Sequence, residues 1–191
     1  MVINREKQEL RQKLLGQLLS LTKEEVKRRS KDVEDKLSSL GEYKQAKNIM
    51  VYYPLKGEVD ILEMVRKDIK SKKFLFPVMD TKAKKLQAYE VENLNDQFVV
   101  GPYGVREPDT EKTQKFDIEK IDMVIVPGLS FDCNCNRLGR GAGFYDRFLQ
   151  RLTPSTKKVG IAFDFQISQD LPTYLPLDQK VDIVVTESSI I

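Results

Sequence analysis

The residues most suggestive of chemistry lie between Arg137 and Phe148, where the sequence reads RLGRGAGFYDRF with a glycine at every second position from 139 to 143. Glycines let successive backbone N–H groups point at one anion, and a helix that begins after such a loop adds a favourable potential. Arg137 and Arg140 can donate charged hydrogen bonds to phosphate oxygens, and Asp146 can bind a Mg²⁺ ion that bridges phosphates. The spacing predicts a phosphate-binding loop, with a glycine-rich structural turn as the alternative.

The loop does not match the common nucleotide-binding patterns. A Walker A loop ends in Gly-Lys followed by Ser or Thr, whereas this loop ends in Gly143-Phe144-Tyr145. A dinucleotide fingerprint needs its third glycine at the position of Phe144. The glycine spacing alone therefore leaves the phosphate-binding and the structural interpretation both open.

The composition restricts the chemistry that such a site can use. The chain of 191 residues contains no histidine, so acid–base chemistry falls to carboxylates, Lys, Tyr, Cys or the substrate. Cys133 and Cys135 are too few for a zinc site, and we expect both to be reduced thiols. A net charge of +3 is too small to predict a nucleic-acid partner. The N-terminus is charged and no apolar run reaches membrane-spanning length, so we expect a cytoplasmic protein without a membrane partner.

Hydrophobic periodicity predicts the elements that must position this loop. Leucines between residues 10 and 19 recur with helical spacing, and the capping-box pair Thr22 and Glu25 begins a second helix that should run to about Leu40, with Gly41 as a left-handed cap. Apolar runs predict strands at residues 48–54, 73–78, 86–91, 121–131, 158–163 and 181–186. Helical spacing recurs at residues 59–72 and 144–152, and residues 96–109 are predicted to form an ordered loop.

Strands that alternate with helices, and that are mostly apolar throughout, are typical of a sheet covered on both faces. We therefore predict one α/β domain over residues 1–191, with a three-layer α/β/α arrangement and a mainly parallel sheet. Residues 1–41 should form an N-terminal helical segment.

The string VPGLSFDCNCNRLGRGAGFYDRFL, residues 126–149, closely resembles the signature of the 5-formyltetrahydrofolate cyclo-ligases, also called 5,10-methenyltetrahydrofolate synthetases. Four further motifs of that family recur in order. They are KQELR at residues 7–11, VYYPLKGEVD at 51–60, GPYGVREP at 101–108 and LDQKVDIVVTE at 177–187. The resemblance spans nearly the whole chain and is far more specific than the glycine loop.

The resemblance implies a fold similar to the sugar-phosphate isomerase and CoA transferase type, and a cytosolic enzyme of one-carbon metabolism. The implied reaction converts 5-formyltetrahydrofolate, with or without further glutamates, and ATP into 5,10-methenyltetrahydrofolate, ADP and phosphate. Mg²⁺ is the implied cofactor, and we expect a monomer. Phosphorylation of the formyl oxygen followed by attack of N10 depends mainly on positioning and charge neutralisation, which suits a site without histidine.

The resemblance also implies the roles of individual residues. ATP would be bound by Lys7, Arg11, Arg137, Leu138, Gly139, Arg140, Gly141, Ala142, Gly143, Phe144 and Tyr145. Arg137, Arg140 and Tyr145 would act in catalysis, and Tyr53, Glu58 and Tyr145 would contact the folate. Asp146 and Asp178 would hold Mg²⁺, with Asp182 as an alternative to Asp178.

Two positions depart from the family pattern. Cys135 stands where the family usually has glycine, and if that turn needs a positive φ the strain costs about 1 kcal/mol. Phe144 replaces the first tyrosine of a usual pair, which removes one hydroxyl but keeps the aromatic wall.

Each of these residues also has an ordinary structural explanation, and two rival functions remain. A non-catalytic folate- or nucleotide-binding protein on the same fold would be suggested by loss of Lys7, Glu58 or Asp146, and all three are present. An RNA-associated module would need a basic patch with stacking aromatic residues, whereas the basic residues 28–31 are interleaved with acids.

Overall fold

The computed structural model describes residues 2–172 and 178–191. Its α-helices, in chain order, are α1 (Val2–Ser20), α2 (Lys23–Ser39), α3 (Gly41–Gln45), α4 (Leu62–Asp68) and α5 (Phe144–Leu149). Its strands are β1 (Asn48–Met50), β2 (Lys73–Asp80), β3 (Lys85–Val91), β4 (Phe98–Val100), β5 (Arg106–Pro108), β6 (Gln114–Lys115), β7 (Met123–Pro127), β8 (Ser130–Asp132), β9 (Arg137–Leu138), β10 (Lys157–Ile161), β11 (Ile167–Ser168) and β12 (Ile183–Val185).

A seven-stranded sheet organises the fold, with the strand order β12-β10-β7-β1-β2-β3-β6. The five strands from β12 to β2 are mutually parallel, whereas β3 and β6 are antiparallel to their neighbours. This mixed α/β architecture with a mostly parallel sheet confirms the predicted fold class. The chain must cross over between parallel strands; α4 lies in the connection from β1 to β2, and α5 lies in the connection from β7 to β10.

Apolar side chains leave the sheet alternately on its two faces, and each face has its own core. In β1, Ile49 packs into the core that also holds Leu14 and Leu18 of α1, whereas Met50 packs into the core that holds Phe148 of α5. Helices therefore cover both faces, with α1, α2 and α4 on one side and α5 on the other. The alternation explains why the central strands are apolar throughout.

The start of α2 follows the predicted capping box. The Thr22 side chain accepts from the Glu25 backbone N–H, and the Glu25 carboxylate accepts from the Thr22 N–H at 2.9 Å. The predicted helix end is wrong in its mechanism, because Gly41 does not adopt a left-handed conformation. Leu40 instead takes an extended conformation between α2 and α3, and Gly41 begins α3.

Three predicted segments differ in detail. The strand predicted at residues 48–54 is β1 alone, because the chain leaves the sheet after Met50. Residues 121–131 form two strands, since β8 joins β9 and β11 in a separate three-stranded sheet. The loop predicted at 96–109 contains the antiparallel hairpin of β4 and β5, with a 3-10 turn at Pro102–Gly104.

Within the described part of the chain, no helix is long and apolar enough to span a membrane.

Candidate active site

A cavity of about 1330 Å³ opens where β1 and β7 end at their carboxyl edges. Ligands of open α/β sheets commonly bind at this edge, because the loops that follow parallel strands converge there. The walls of the cavity come from α1, from the segment that follows β1, from the β4–β5 hairpin, and from the glycine-rich loop with α5. Residues of β2 and β3, the end of β7 and Asp178 complete the lining, so the site is assembled from regions that are distant in sequence.

The glycine-rich loop connects β9 to α5 and uses conformations that only glycine adopts easily. Gly141 has φ 106° and Gly143 has φ 68°, in the left-handed region immediately before α5. A side chain at Gly139 would meet the Arg137 guanidinium, because a Cβ there would lie 2.7 Å from Nη1. The loop is therefore fixed by backbone geometry and by close contact with Arg137.

Arg137 is buried against the loop, with 7% of its surface exposed. Its Nη2 donates to Asp146 Oδ1 at 2.8 Å and its Nη1 donates to the Pro127 carbonyl at 3.3 Å. The guanidinium carbon lies 5.6 Å from the Tyr145 ring centroid. Its Nε is also buried and has no hydrogen-bond partner among the described residues. This guanidinium consequently joins the end of β7 to α5 and retains one unused donor.

Helix α1 contacts the site from the other side. Lys7 is 8% exposed, and its ammonium group forms an ion pair with Asp178. One helical turn later, Arg11 Nε donates to the Gly139 carbonyl at 2.9 Å. The backbone N–H of Gln179 donates to Asp146 Oδ1 at 3.3 Å, so the segment of Asp178 lies beside Asp146. The N-terminal helix therefore contacts the glycine loop and the C-terminal segment together.

The structure separates the two alternative metal-site aspartates. Asp178 lines the cavity, whereas Asp182 does not. Asp182 lies at the amino end of β12, where its Oδ2 accepts the Lys158 N–H at 2.8 Å and its Oδ1 lies 3.6 Å from the Lys158 ammonium. The geometry thus favours Asp178 over Asp182 as a partner of Asp146.

Asp146 and Asp178 have the chemistry that a Mg²⁺–phosphate complex needs. Mg²⁺ usually takes one or two protein carboxylates and completes its octahedron with phosphate oxygens and water. Two neighbouring aspartates at the cavity wall fit that requirement, although here each is paired with a cation, Arg137 or Lys7. Among the described residues, no group of three or more His, Cys, Asp and Glu side chains is arranged to hold a metal ion.

On the far side of the glycine loop, Arg140 reaches Glu58. Glu58 Oε1 accepts from Arg140 Nη2 at 2.7 Å and from Nε at 3.1 Å, while Oε2 accepts the Leu55 N–H at 3.0 Å. Gly57, in the turn that carries Glu58, has φ 83°, and a Cβ there would overlap the Leu18 carbonyl of α1. Glycine is therefore required for the loop to pack on the helix and to present Glu58.

An aromatic group forms the next part of the wall. The Tyr53 hydroxyl accepts from Arg106 Nη1 at 3.0 Å, and the Tyr53 and Phe98 rings meet edge to face with centroids 5.0 Å apart. The Arg106 guanidinium carbon lies 5.0 Å from the Tyr53 centroid. This contact ties the β4–β5 hairpin to the segment that follows β1.

Two buried phenols line the cavity between the glycine loop and this aromatic wall. The Tyr52 hydroxyl donates to the Val59 carbonyl at 2.7 Å. The Tyr145 hydroxyl is buried and has no hydrogen-bond partner among the described residues. Burial, reinforced by the Glu58 carboxylate, raises the pKa of Tyr145 above its ordinary value. Tyr145 therefore stays neutral at physiological pH and holds an O–H donor available to a ligand.

All the residues that the sequence places in the site line this one cavity. They are Lys7, Arg11, Tyr53, Glu58, Arg137, Leu138, Gly139, Arg140, Gly141, Ala142, Gly143, Phe144, Tyr145, Asp146 and Asp178. Their individual roles stay predictions. Sequence reasoning missed Lys84, Arg147 and Glu107, which also line the cavity. Glu107 lies within the motif at residues 101–108, but nothing in its spacing indicates that it is buried.

The two departures from the family pattern can now be described structurally. Cys135 has φ 58°, so its position does require a left-handed conformation and carries the expected strain. The Phe144 ring lies 5.7 Å from the Arg147 guanidinium carbon, an arrangement that needs an aromatic face and no hydroxyl.

The fold and the cavity define the class of α/β proteins in which a glycine-rich loop between a strand and a helix adjoins a large, partly apolar pocket. The sequence model of the 5-formyltetrahydrofolate cyclo-ligase family matches residues 3–187. The chain therefore belongs to the 5-formyltetrahydrofolate cyclo-ligase family.

Proteins similar to this chain in sequence and structure occur in a mammal and in bacteria. The mouse 5-formyltetrahydrofolate cyclo-ligase is 28% identical, over 98% of this chain and 96% of its own length. The solved structure of Aquifex aeolicus 5,10-methenyltetrahydrofolate synthetase is 36% identical, with a TM-score of 0.84 over 96% of this chain and 91% of that one. The synthetase from Mycoplasma pneumoniae is 25% identical, with a TM-score of 0.74 over 95% and 98% of the two chains.

Proposed function

We propose that this protein is an ATP-dependent 5-formyltetrahydrofolate cyclo-ligase that forms 5,10-methenyltetrahydrofolate, ADP and phosphate. The observation that carries this proposal is the position of Glu58 and Arg140, which join an anion-binding loop to an aromatic wall within one cavity. A reaction between a nucleotide phosphate and a flat ring system needs both surfaces next to each other. Membership of the family supplies the identity of the two substrates.

The chemistry requires activation of a formamide. The formyl oxygen on N5 attacks the γ-phosphorus of ATP, the bond to the bridging oxygen breaks, and ADP leaves. N10 then adds to the activated formyl carbon and gives up its proton to the departing phosphate or to water. The carbon–oxygen bond breaks with release of phosphate, which leaves the methenyl bridge. Both steps depend on alignment and on stabilisation of negative charge, so no histidine is needed.

The cationic side of the cavity suits the triphosphate. Lys7 and Arg11 line the cavity from α1, and residues 137–145, which contain the glycine-rich loop, would surround the triphosphate. Arg137 and Arg140 would stabilise the transferred phosphoryl group, and the buried Arg137 Nε offers a donor that is not used within the described residues. We propose that residues 1–41 form the helical segment that packs on the nucleotide.

Asp146 and Asp178 would hold Mg²⁺ at the edge of the same loop. The ion supplies neutralisation of phosphate charge when bound. In the free protein, Lys7 and Arg137 already place positive charge beside these two carboxylates.

The aromatic side of the cavity suits the folate. Tyr53 and Glu58 would contact the pterin and its formyl group, and the Tyr145 hydroxyl lies between the two binding surfaces. Because the Tyr145 phenol remains neutral, it can donate a hydrogen bond to an oxygen of either substrate.

We further propose a fold of the sugar-phosphate isomerase and CoA transferase type, a cytosolic location, a monomeric state, and no nucleic-acid or membrane partner.

The test is the absorbance of methenyltetrahydrofolate formed from 5-formyltetrahydrofolate with and without Mg-ATP. We expect product only when Mg-ATP is present, with one ADP released for each product. Binding of both substrates without product at any enzyme concentration would instead identify a non-catalytic binding protein.

A further inference from the structure

Glu107 is a buried acid in the wall of the cavity to which none of the preceding roles applies. It lies on β5, is 5% exposed, and forms no ion pair among the described residues. Its Oε1 accepts the Met79 N–H from β2 at 3.2 Å. Its second oxygen, Oε2, has no hydrogen-bond partner within the described part of the chain. Burial raises the pKa of this carboxyl, so its position is energetically unfavourable in the free protein.

The hairpin backbone is built around this carboxyl. Gly101 passes so close that a Cβ there would lie 2.6 Å from both Cδ and Oε2 of Glu107. The turn that carries Gly101 is closed by its own N–H, which donates to the Val105 carbonyl at 2.8 Å. With Met79 on one side and Gly101 on the other, the carboxyl has little rotational freedom. A ligand atom would therefore meet an acceptor in a fixed position.

No cationic side chain of the described residues forms an ion pair with Glu107. Nearby wall residues include Pro77, Met79 and Val105, which are apolar. Arg106, its neighbour in sequence, is directed to the Tyr53 hydroxyl instead. A fixed acceptor in an apolar wall favours a ligand that brings its own N–H donors, because a ligand without such donors leaves the buried carboxylate oxygen of Glu107 unpaired.

We propose that Glu107 determines substrate specificity by accepting hydrogen bonds from the N3–H and 2-amino donors of the pterin ring. This inference rests on the proposed function. The two donors lie side by side on one edge of the ring, as the donors of a guanidinium do, and a carboxylate matches such a pair. The pyrazine ring, which carries N5 and the formyl group, then extends away from Glu107 into the rest of the cavity. Glu107 is thus a ring-orienting residue and takes no part in phosphoryl transfer.

The test compares wild type with Glu107→Gln, using 5-formyltetrahydrofolate and its 2-desamino analogue. Glutamine keeps the size of the side chain, but it has one oxygen, which cannot serve both the Met79 N–H and the ring donors. We expect KM for the natural substrate to rise about tenfold or more, with KM for ATP unchanged. We expect the wild type to discriminate against the analogue by about tenfold or more, and the variant by less than about threefold.

Glu111→Gln, at an exposed position beyond the same hairpin, is the matched control and should behave as wild type. An unchanged KM in Glu107→Gln, or full discrimination against the analogue in that variant, would overturn the inference while leaving the cyclo-ligase activity standing. A wild-type protein without any Mg-ATP-dependent product would refute the proposed function itself. The variant's KM for ATP shows whether it is folded, so a folding defect cannot be mistaken for a loss of ring recognition.

Discussion

Arg140 of the glycine-rich loop donates two hydrogen bonds, of 2.7 and 3.1 Å, to a single carboxylate oxygen of Glu58 across the cavity wall. Glu58 is fixed by the Leu55 N–H at its other oxygen, whereas the Arg140 side chain is partly exposed. A phosphate that attracts Arg140 therefore competes with Glu58 for the same donors.

Replacement of Glu58 by Gln should weaken this connection while keeping the size of the side chain. We expect KM for 5-formyltetrahydrofolate to rise and kcat to fall, because the proposed function assigns alignment of the folate to this carboxylate. Steady-state kinetics with each substrate varied in turn would measure the effect. Glu63→Gln, which removes an exposed pair with Arg66, is the control. Equal kinetics in the two variants would exclude Glu58 from the site.

Asp146→Asn should lower turnover by about 100-fold or more, because it removes charge at the phosphate edge of the site. It should also lower the melting temperature, since Arg137 is buried and loses its charged partner. Product absorbance and thermal unfolding measure the two effects. Asp182→Asn, which changes an aspartate outside the cavity, should retain wild-type turnover. Equal turnover in both variants would remove Asp146 from the site.

Lys7→Met should raise KM for ATP about tenfold or more through the loss of a charged donor. Arg5→Met, on the exposed side of α1, should leave KM unchanged because Arg5 pairs only with Glu9 among the described residues. Kinetics at saturating folate would test both variants. An effect of the same size at both positions would point to general helix disruption instead.

Gly57→Ala should lower the free energy of unfolding by more than about 2 kcal/mol, because a left-handed conformation and overlap with the Leu18 carbonyl act together. Gly104→Ala has a similar φ of 72° but open space around its Cβ, so it should cost only about 1 kcal/mol. Urea unfolding of the two variants separates backbone strain from steric overlap. Equal losses would show that the contact with α1 contributes nothing.

Glu34 provides a pH-dependent prediction. Burial, reinforced by Asp60, raises the pKa of this carboxyl above its model-compound value of 4.5, although it accepts the Met64 N–H at 2.9 Å. A raised folded-state pKa means that ionisation of Glu34 opposes folding at neutral pH and that this cost disappears as the pH falls through that pKa. Glu34→Gln should thus be more stable relative to wild type at pH 7 than near pH 4.5. A stability difference independent of pH would contradict the assignment.

The sequence predicts the candidate site better than it predicts the details of the fold. Most of the site residues occur in short motifs that follow strands, and parallel strands bring such motifs to one edge of the sheet, whereas Lys7 and Arg11 lie on α1. The family motifs therefore suffice to place Arg140 and Glu58 in one cavity, which their residue types alone do not. Their mutual hydrogen bonds span 82 positions in sequence and depend on the packing of the Gly57 turn, for which no local pattern exists.

The errors at Gly41 and at residues 96–109 have a shared cause. Glycine and proline indicate that the chain turns, but tertiary contacts decide how it turns. Leu40 ends α2 with an extended conformation that leads directly into α3, so no left-handed cap forms. The β4–β5 hairpin is stabilised by its contacts with Met79 and Tyr53, which a sequence window cannot include.

Because Lys7 and Arg11 lie one turn apart on α1, the contacts of that helix with Asp178 and Gly139 form or break together. Any ligand that binds more tightly when α1 is docked must, by thermodynamic linkage, make α1 dock more tightly. Nucleotide binding should consequently slow amide hydrogen exchange along α1 and protect its first turns from proteases. The N-terminus of this enzyme would then report the occupancy of a cavity formed mainly by the rest of the chain.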